Sequence, residues 1–416
     1  MKVEIGFDKT PQIFEVPDEN VIDILKPNEI SAADKGTDAV LKALQSPIGT
    51  PMLRDMVKSG QKIVIITSDI TRPVPSHKII PAVLDELTSG GIALSDITVV
   101  FALGSHRKQT EDEMIGLVGK DVFDKVRCVD GDPNDFVHLG TTKMGTPVDV
   151  TRIVSEADFR IGVGNVEYHY FAGYSGGAKA IMPGVSTRDA IQSNHSRMIL
   201  PEAAAGRLED NPVRLDIEEA MDYCSLDFIV NVVLDEHKEI IHASAGHFID
   251  AHRSACRFLD RIYLKELKSR ADIVIASQGG APKDINLYQT QKALDNAKHA
   301  VKDGGIIILV GSCKEGLGEE VFADWMVNSK APGEMIDRIQ KDFQLGGHKA
   351  AAIALVLEKA GVYLVSDMEP DFVRSIFLEP YANVQTALDS AFESLGKDAT
   401  VVIMPYGGST LPVNRQ

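Results

Sequence analysis

Three observations on this 416-residue sequence predict an α/β fold built on mostly parallel sheets. Short apolar runs rich in Val and Ile recur along the chain. Amphipathic stretches of helical period lie between them. Unusual polar residues gather just after several of the runs.

The runs are 62–67 (KIVIIT), 97–104 (ITVVFALG), 159–164 (FRIGVG), 228–234 (FIVNVVL), 272–277 (DIVIAS), 305–311 (GIIILVG) and 401–404 (VVIM). Each is apolar at successive positions, which suits a strand covered on both faces in a parallel sheet. Between the first two lies HKIIPAVLDELTSGG, where Ile79, Val83 and Leu87 recur four apart and Gly90 fits a helix C-terminal cap. Alternating βα units imply an α/β architecture. At about 150 residues per domain, two or three domains are expected. The polar segment KELKSRAD, before the run at 272–277, suggests a boundary at 264–272, and the last run is expected to return to the first domain.

Composition narrows the function. With 43 Lys+Arg against 60 Asp+Glu, the net charge of −17 disfavours a nucleic-acid or anionic membrane partner. No apolar run approaches the ~18 residues of a membrane span, and the N-terminus lacks the apolar core of a signal peptide. Cys128, Cys224, Cys256 and Cys313 lie far apart with no CxxC pair. This argues against structural zinc or a disulfide framework, and the expected setting is the reducing cytoplasm.

In open α/β sheets, ligands bind beyond the carboxyl ends of strands. The loops there carry Asp69 and Arg72 (SDITRP), Ser105 and His106 (ALGSH), His169 and Lys179 (VEYHYFAGYSGGAKAIMPG), and Lys283, Tyr288, Gln289 and Lys292 (APKDINLYQTQKA). Imidazoles suit proton exchange near neutral pH, so His106 and His169 on separate loops could form a pair of general bases. Each taken singly also reads as a packed loop residue. Gly173, Gly176, Gly177 and Gly184 allow close backbone approach to a ligand. GYSGGAKA is not a P-loop: Ala178 precedes Lys179 and Ala180 follows it, so the hydroxyl for Mg²⁺ is missing. Glycine amides and a helix start there can still take a phosphate. Lys179 reads as a phosphate contact, a covalent anchor or a surface lysine. His195, in the helical stretch RDAIQSNHSRM, is a metal ligand only where a cofactor supplies the other donors. Arg72 precedes Pro73 in a loop that opens a helix and could clamp a carboxylate or phosphate. Gln289 and Lys292 would share one helix face.

Taken together, SDITRP, ALGSH, VEYHYFAGYSGGAKAIMPG, SNHSRM and APKDINLYQTQKA resemble the lactate racemase family, which uses a nickel-pincer nucleotide. The resemblance implies two α/β domains with the active site in the cleft between them. The first would span 1–264, with the tail 401–416 returning to it; the second would span 269–400 and contribute substrate-binding residues. It implies a Ni(II)-pyridinium-3,5-bisthiocarboxylate mononucleotide attached covalently at Lys179, with His195 as the protein's nickel ligand. Asp69, Ile70, Thr71 and Arg72 would contact that cofactor. His106 and His169 would be the catalytic bases, and Arg72, Tyr288, Gln289 and Lys292 would hold the substrate. The implied reaction inverts C2 of a 2-hydroxy acid, lactate-like, by hydride transfer to and from the cofactor. Enzymes that synthesise the pincer cofactor become implied partners. Malate, other aliphatic or aromatic hydroxy acids and sugar acids fit the same chemistry, and Lys283 is the candidate for a second carboxylate. The alternatives are a non-catalytic binding homologue, which would need no pair of bases, and a dehydrogenase with a diffusible cofactor, for which no GxGxxG opens a βα unit.

Overall fold

A computed structural model describes residues 1–29, 34–72, 74–104, 106–235 and 237–414. Pro73 and Ser105, both given weight above, lie outside the described residues. The chain divides into a central unit, Ile30–Arg261, and a terminal unit, Met1–Glu29 with Ile262–Gln416.

The strands of the two main sheets are, in chain order, β1 (Val21–Ile24), β2 (Ile63–Ser68), β3 (Ile97–Ala102), β4 (Arg127–Asp130), β5 (Phe159–Asn165), β6 (Phe228–Leu234), β7 (Ile240–Gly246), β8 (Ala271–Ser277), β9 (Val301–Val310), β10 (Gly361–Val365), β11 (Glu379–Tyr381) and β12 (Val401–Met404). The apolar runs of the sequence are β2, β3, β5, β6, β8, β9 and β12. The helices include α1 (Ser76–Ser89), α2 (Arg188–His195), α3 (Pro212–Glu219) and α4 (Asp250–Tyr263), and, in the terminal unit, α5 (Leu287–Ala297).

The central sheet has the order β7-β6-β5-β2-β3-β4. Only β7 runs antiparallel to its neighbour. Ile63, Ile65, Val99 and Ile161 of this sheet and Ile79, Val83 and Leu87 of α1 are buried in one core. Each such side chain contributes about 1.5–3 kcal/mol by leaving water. Gly90 closes α1 with φ −81°, and the left-handed residue is Gly91, at φ 90°. Gly90 is instead required by crowding, since a Cβ there would lie 2.6 Å from the Arg54 carbonyl oxygen.

From β2 the chain winds outward through β3 and β4, then crosses to β5 on the other side of β2. The winding therefore reverses between β2 and β5. This is the kind of crevice where open α/β sheets bind ligands, and the loops that flank it carry Asp69–Arg72 and His169–Lys179.

The terminal sheet is parallel throughout, in the order β11-β10-β9-β8-β12-β1. Its winding reverses between β8 and β12, and α5 follows β8. The ends of the chain depart from the sequence expectation. Residues 401–404 do not return to the first domain: β12 lies between β8 and β1, within the terminal sheet. Its four side chains are all buried, and a strand covered on both faces is most stable with neighbours on both sides. The first 29 residues join the same unit through β1. KELKSRAD is no plain linker either, since Leu264–Leu267 pairs in parallel with Leu411–Asn414.

Candidate active site

The loop after β2 is folded by its own aspartate. The Asp69 carboxylate accepts from the Thr71 backbone N–H at 3.2 Å and from the Thr71 hydroxyl at 2.7 Å, and the Arg72 N–H reaches the Asp69 carbonyl at 3.2 Å. Asp69 is only 2% exposed, while Ile70, Thr71 and Arg72 face solvent. Its other carboxylate oxygen accepts the Nδ1–H of His106 at 2.6 Å. Burial pushes the Asp69 carboxyl up, but the His106 hydrogen bond and charge, with the Thr71 donors, outweigh it and hold the group below its usual range. With Nδ1 committed to Asp69, a neutral His106 carries its lone pair on Nε2. Gly104, at φ 55°, turns the chain after β3 and donates to the Gly184 carbonyl at 2.9 Å, while the His106 N–H closes a turn on Leu103. Gln109 ties this loop to its neighbour by donating to Asp130 and accepting from the Ile70 N–H.

His169 sits on a small hairpin in which Tyr168 pairs with Tyr174 and His169 with Gly173. Gly173 has φ 77°, and a Cβ there would stand 1.9 Å from the Arg207 carbonyl oxygen, so only glycine fits. The hydroxyls of Tyr168 and Tyr174 both donate to Asp260 on α4, each at 2.8 Å. The wholly buried Arg214 of α3 donates to the carbonyls of Ala172 and Tyr174. His169 Nδ1 accepts the Ala172 N–H at 3.2 Å. Burial, then the charges of Lys179 and Arg72, hold its pKa well below the usual imidazole value.

Phe171 is the hub of the next cluster. His169 meets its ring edge-on at 4.5 Å, His195 at 4.8 Å, and the Lys179 ammonium lies 5.8 Å above it. Lys179 belongs to a single 3₁₀ turn, Gly177–Ala180, and not to an α-helix start. The Gly177 N–H is already taken by Asn231 Oδ1 at 2.9 Å, which weakens the phosphate-cradle reading of this loop. A Cβ at Gly177 would meet the buried His252 ring at 2.9 Å, and His252 Nε2–H donates to the Ser175 carbonyl at 2.8 Å. Burial, then the charges of Arg214 and Arg72, drive the Lys179 pKa well below its usual value. His195, 6% exposed at the end of α2, donates from Nδ1 to Asn194 Oδ1 at 2.8 Å.

The structure thus joins Asp69, Thr71 and His106 in one cluster and His169, Lys179 and His195 in another, with the charge of Arg72 acting on His169 and Lys179. Tyr288, Gln289 and Lys292 stand in the terminal unit, on α5, whose first turn is capped by Asn286 Oδ1 accepting the Gln289 N–H at 3.0 Å. The Lys349 ammonium lies 3.8 Å over the Tyr288 ring and donates to its carbonyl. Lys283 is exposed. Sequence reading missed Arg214, Asp260, His252 and Lys349. Arginine and histidine buried within helices look like any surface helix residue in one sequence, and only the apolar neighbours of Lys349 hinted at burial. No group of three His, Cys, Asp or Glu side chains placed to hold a metal occurs among the described residues. No helix is long and apolar enough to cross a membrane among them.

Comparison with known proteins agrees along the whole chain. Residues 7–206 match the profile of the lactate racemase N-terminal domain, and residues 267–411 that of the lactate racemase C-terminal domain. The chain is 35% identical over 421 residues to the lactate racemase of Thermoanaerobacterium thermosaccharolyticum, covering 98% of each protein. It is 33% identical over 421 residues to that of Lactiplantibacillus plantarum, covering 97% of this chain and 98% of the other. The solved structure of the T. thermosaccharolyticum lactate racemase apoprotein superposes with a TM-score of 0.89 and full coverage of both chains. A Thermotoga maritima protein at 18% identity shares the fold, with a TM-score of 0.62 over 91% of this chain and 97% of its own. On two domain profiles and relatives matched nearly end to end, the chain belongs to the lactate racemase family, a family of isomerases.

Proposed function

We propose that this protein racemises or epimerises a lactate-like 2-hydroxy acid, using a nickel-pincer nucleotide attached at Lys179. The observation that carries the reading is the grouping about Phe171 of a charge-suppressed lysine with two imidazoles. An uncharged amine is what an amide-type attachment needs. His195 suits a metal that arrives with its other donors, since no group of three His, Cys, Asp or Glu side chains placed to hold a metal occurs among the described residues. When bound, the nucleotide would supply the acceptor and donor of the C2 hydride. Asp69, Ile70, Thr71 and Arg72 would hold it from the β2 loop.

The chain's own part is then proton transfer and positioning. His106 Nε2 takes the substrate hydroxyl proton while Asp69 keeps the ring oriented and steadies the charge that arrives. His169 serves the other enantiomer, whose hydroxyl points to the opposite side. Arg72 and Lys292 would hold the carboxylate while C2 inverts, with Tyr288 and Gln289 as further substrate contacts. Free cysteines suit a reducing, cytoplasmic setting. Cofactor-synthesising enzymes would be the partners needed to load the protein.

The test is intact mass and nickel content of protein co-expressed with those enzymes, beside a Lys179→Ala control, followed by chiral analysis of a 2-hydroxy-acid panel. A covalent adduct and nickel, both lost in the control, with interconversion of one or more enantiomer pairs, is the expected result. Unmodified, nickel-free protein from cells that load a known relative would overturn the cofactor reading. Loaded protein that interconverts no pair would overturn the racemase reading.

A further inference from the structure

Behind His195 a line of hydrogen bonds runs to a buried carboxylate. The His195 Nδ1–H donates to Asn194 Oδ1 at 2.8 Å. Asn194 Nδ2 donates twice, to the Val213 carbonyl at 3.1 Å and to Asp216 Oδ2 at 2.7 Å. Asn194 is 0% exposed and Asp216 1%. The Asp216 carboxylate also accepts the Thr142 hydroxyl at 2.5 Å on Oδ1 and the Thr146 hydroxyl at 2.7 Å on Oδ2, and the Arg197 guanidinium lies 3.6 Å away. A buried carboxylate so fully supplied with donors and a counter-charge is held rigidly.

This environment decides which way the Asn194 amide points, an assignment often ambiguous in a structure. Turned over, Oδ1 would face the Val213 carbonyl and the Asp216 carboxylate, acceptors against an acceptor with no proton between them. Nδ2 must therefore face Asp216, which leaves Oδ1 toward the imidazole. An oxygen acceptor at Nδ1 requires the ring proton to sit on Nδ1. In a neutral imidazole the lone pair then belongs to Nε2.

We propose that Asp216, acting through Asn194, is a positioning residue that fixes the tautomer of His195 and so presents Nε2 as the metal donor. The metal consequence rests on the nickel reading above; the tautomer does not. An amide relay orients the ring and supports its basicity without setting a formal charge against it, and partners of this kind tune metal ligands in general. Arg197 and Thr146 complete the support, since Arg197 donates to both Thr146 Oγ1 and the Ser193 carbonyl on α2.

The experiment is side-chain ¹⁵N NMR of the histidines in the cofactor-free full chain, with His195 assigned by its loss in His195→Gln. Wild type shows the His195 proton on Nδ1. In Asp216→Asn the new amide can donate to Asn194, which then turns, and the proton moves wholly or partly to Nε2. Asn194→Leu removes the acceptor and gives the same change. Thr142→Val removes the donor to the far carboxylate oxygen and the acceptor of the Thr146 N–H; it lowers stability and leaves the tautomer as it was. In loaded protein, Asp216→Asn loses nickel to a chelator roughly 10–100-fold faster than wild type. A wild-type proton on Nε2, or a tautomer unmoved in both Asp216→Asn and Asn194→Leu, overturns the proposal. Should Asp216→Asn fail to fold, the wild-type and Asn194→Leu spectra decide. Loaded wild type with the Nδ1 proton but no nickel would sink the nickel reading and leave the relay standing.

Discussion

His106 and His169 occupy strand-end loops of one sheet, on either side of β2, yet their surroundings are opposite. His106 gives its Nδ1–H to a buried carboxylate and leaves Nε2 as the basic nitrogen. His169 receives an N–H at Nδ1, which places the proton of a neutral ring on Nε2, and burial, with the Arg72 charge, disfavours a second proton. The first is built to accept a proton and the second to hold one as a neutral donor. For His169 to accept at Nε2, the bond from Ala172 must first break. On the proposed function, a pair of proton-transferring histidines need not form a symmetric machine. Enantiomers have equal free energies, so kcat/KM must be the same in both directions for the wild type and for every variant. Asymmetry can surface only in kcat and KM taken separately for each enantiomer.

Removing the proposed base, His106, is the largest expected effect. His106→Asn should lower kcat/KM roughly 10²–10⁴-fold, the usual share of a positioned general base. Asp69→Asn should approach that loss while His106 is intact, because the amide no longer fixes the tautomer. Nickel content must accompany both measurements, since Asp69 also belongs to the proposed cofactor-binding loop. Wild-type activity in fully loaded Asp69→Asn would break the comparison at its stronger side. Next comes the split between enantiomers. His169→Gln keeps a donor without a titrating group, and it should change kcat and KM unequally for the two enantiomers. Equal changes for both would make the histidines interchangeable after all.

A smaller effect concerns what the site costs the fold. Lys179 is held among arginines and apolar rings that disfavour its charge. In cofactor-free protein, Lys179→Met should therefore raise stability by about 1 kcal/mol, the usual gain when a functional residue is relieved. In a chain of this size that is a rise of about 1 °C in the melting temperature. A lower melting temperature would mean that the ammonium finds compensation here and that its charge is not suppressed.

How much of this could be read in the sequence follows from how far each signal reaches. The strands were legible because burial on both faces writes Val and Ile at successive positions, as in IVII of β2 and FIVNVVL of β6. The site loops were legible because a strand end followed by His, Lys and Gly is local. The partners were not. Asp69 lies 37 residues before His106, and Asp216 lies 22 after Asn194. Nothing in the residues between marks them as a pair. The chain ends were misplaced for the same reason. VVIM reads as a buried strand, but its neighbours are set by the β1 and β8 pairings, one from nearly the other end of the chain and one from more than a hundred residues before it.

Acid unfolding carries the histidine comparison beyond the site. His242 stacks on Phe258 at 4.1 Å, and burial, then the Arg261 charge, lowers its pKa to about 4. Unfolded, it would titrate near the ordinary value of about 6.5. Between these values the unfolded chain binds the extra proton. Stability from this residue is therefore complete above about pH 6.5 and is lost as the pH falls toward 4. The slope cannot exceed about 1.4 kcal/mol per pH unit for one proton. His169 is depressed in the same sense, so its window opens at the same upper edge and extends downward. Denaturant unfolding of wild type, His242→Phe and His169→Gln from pH 7 to 5 should show a shallower acid slope in each variant. If His169→Gln leaves the slope unchanged, His169 takes up its proton in the folded state as readily as in the unfolded chain. It would then be free to act as the same kind of base as His106.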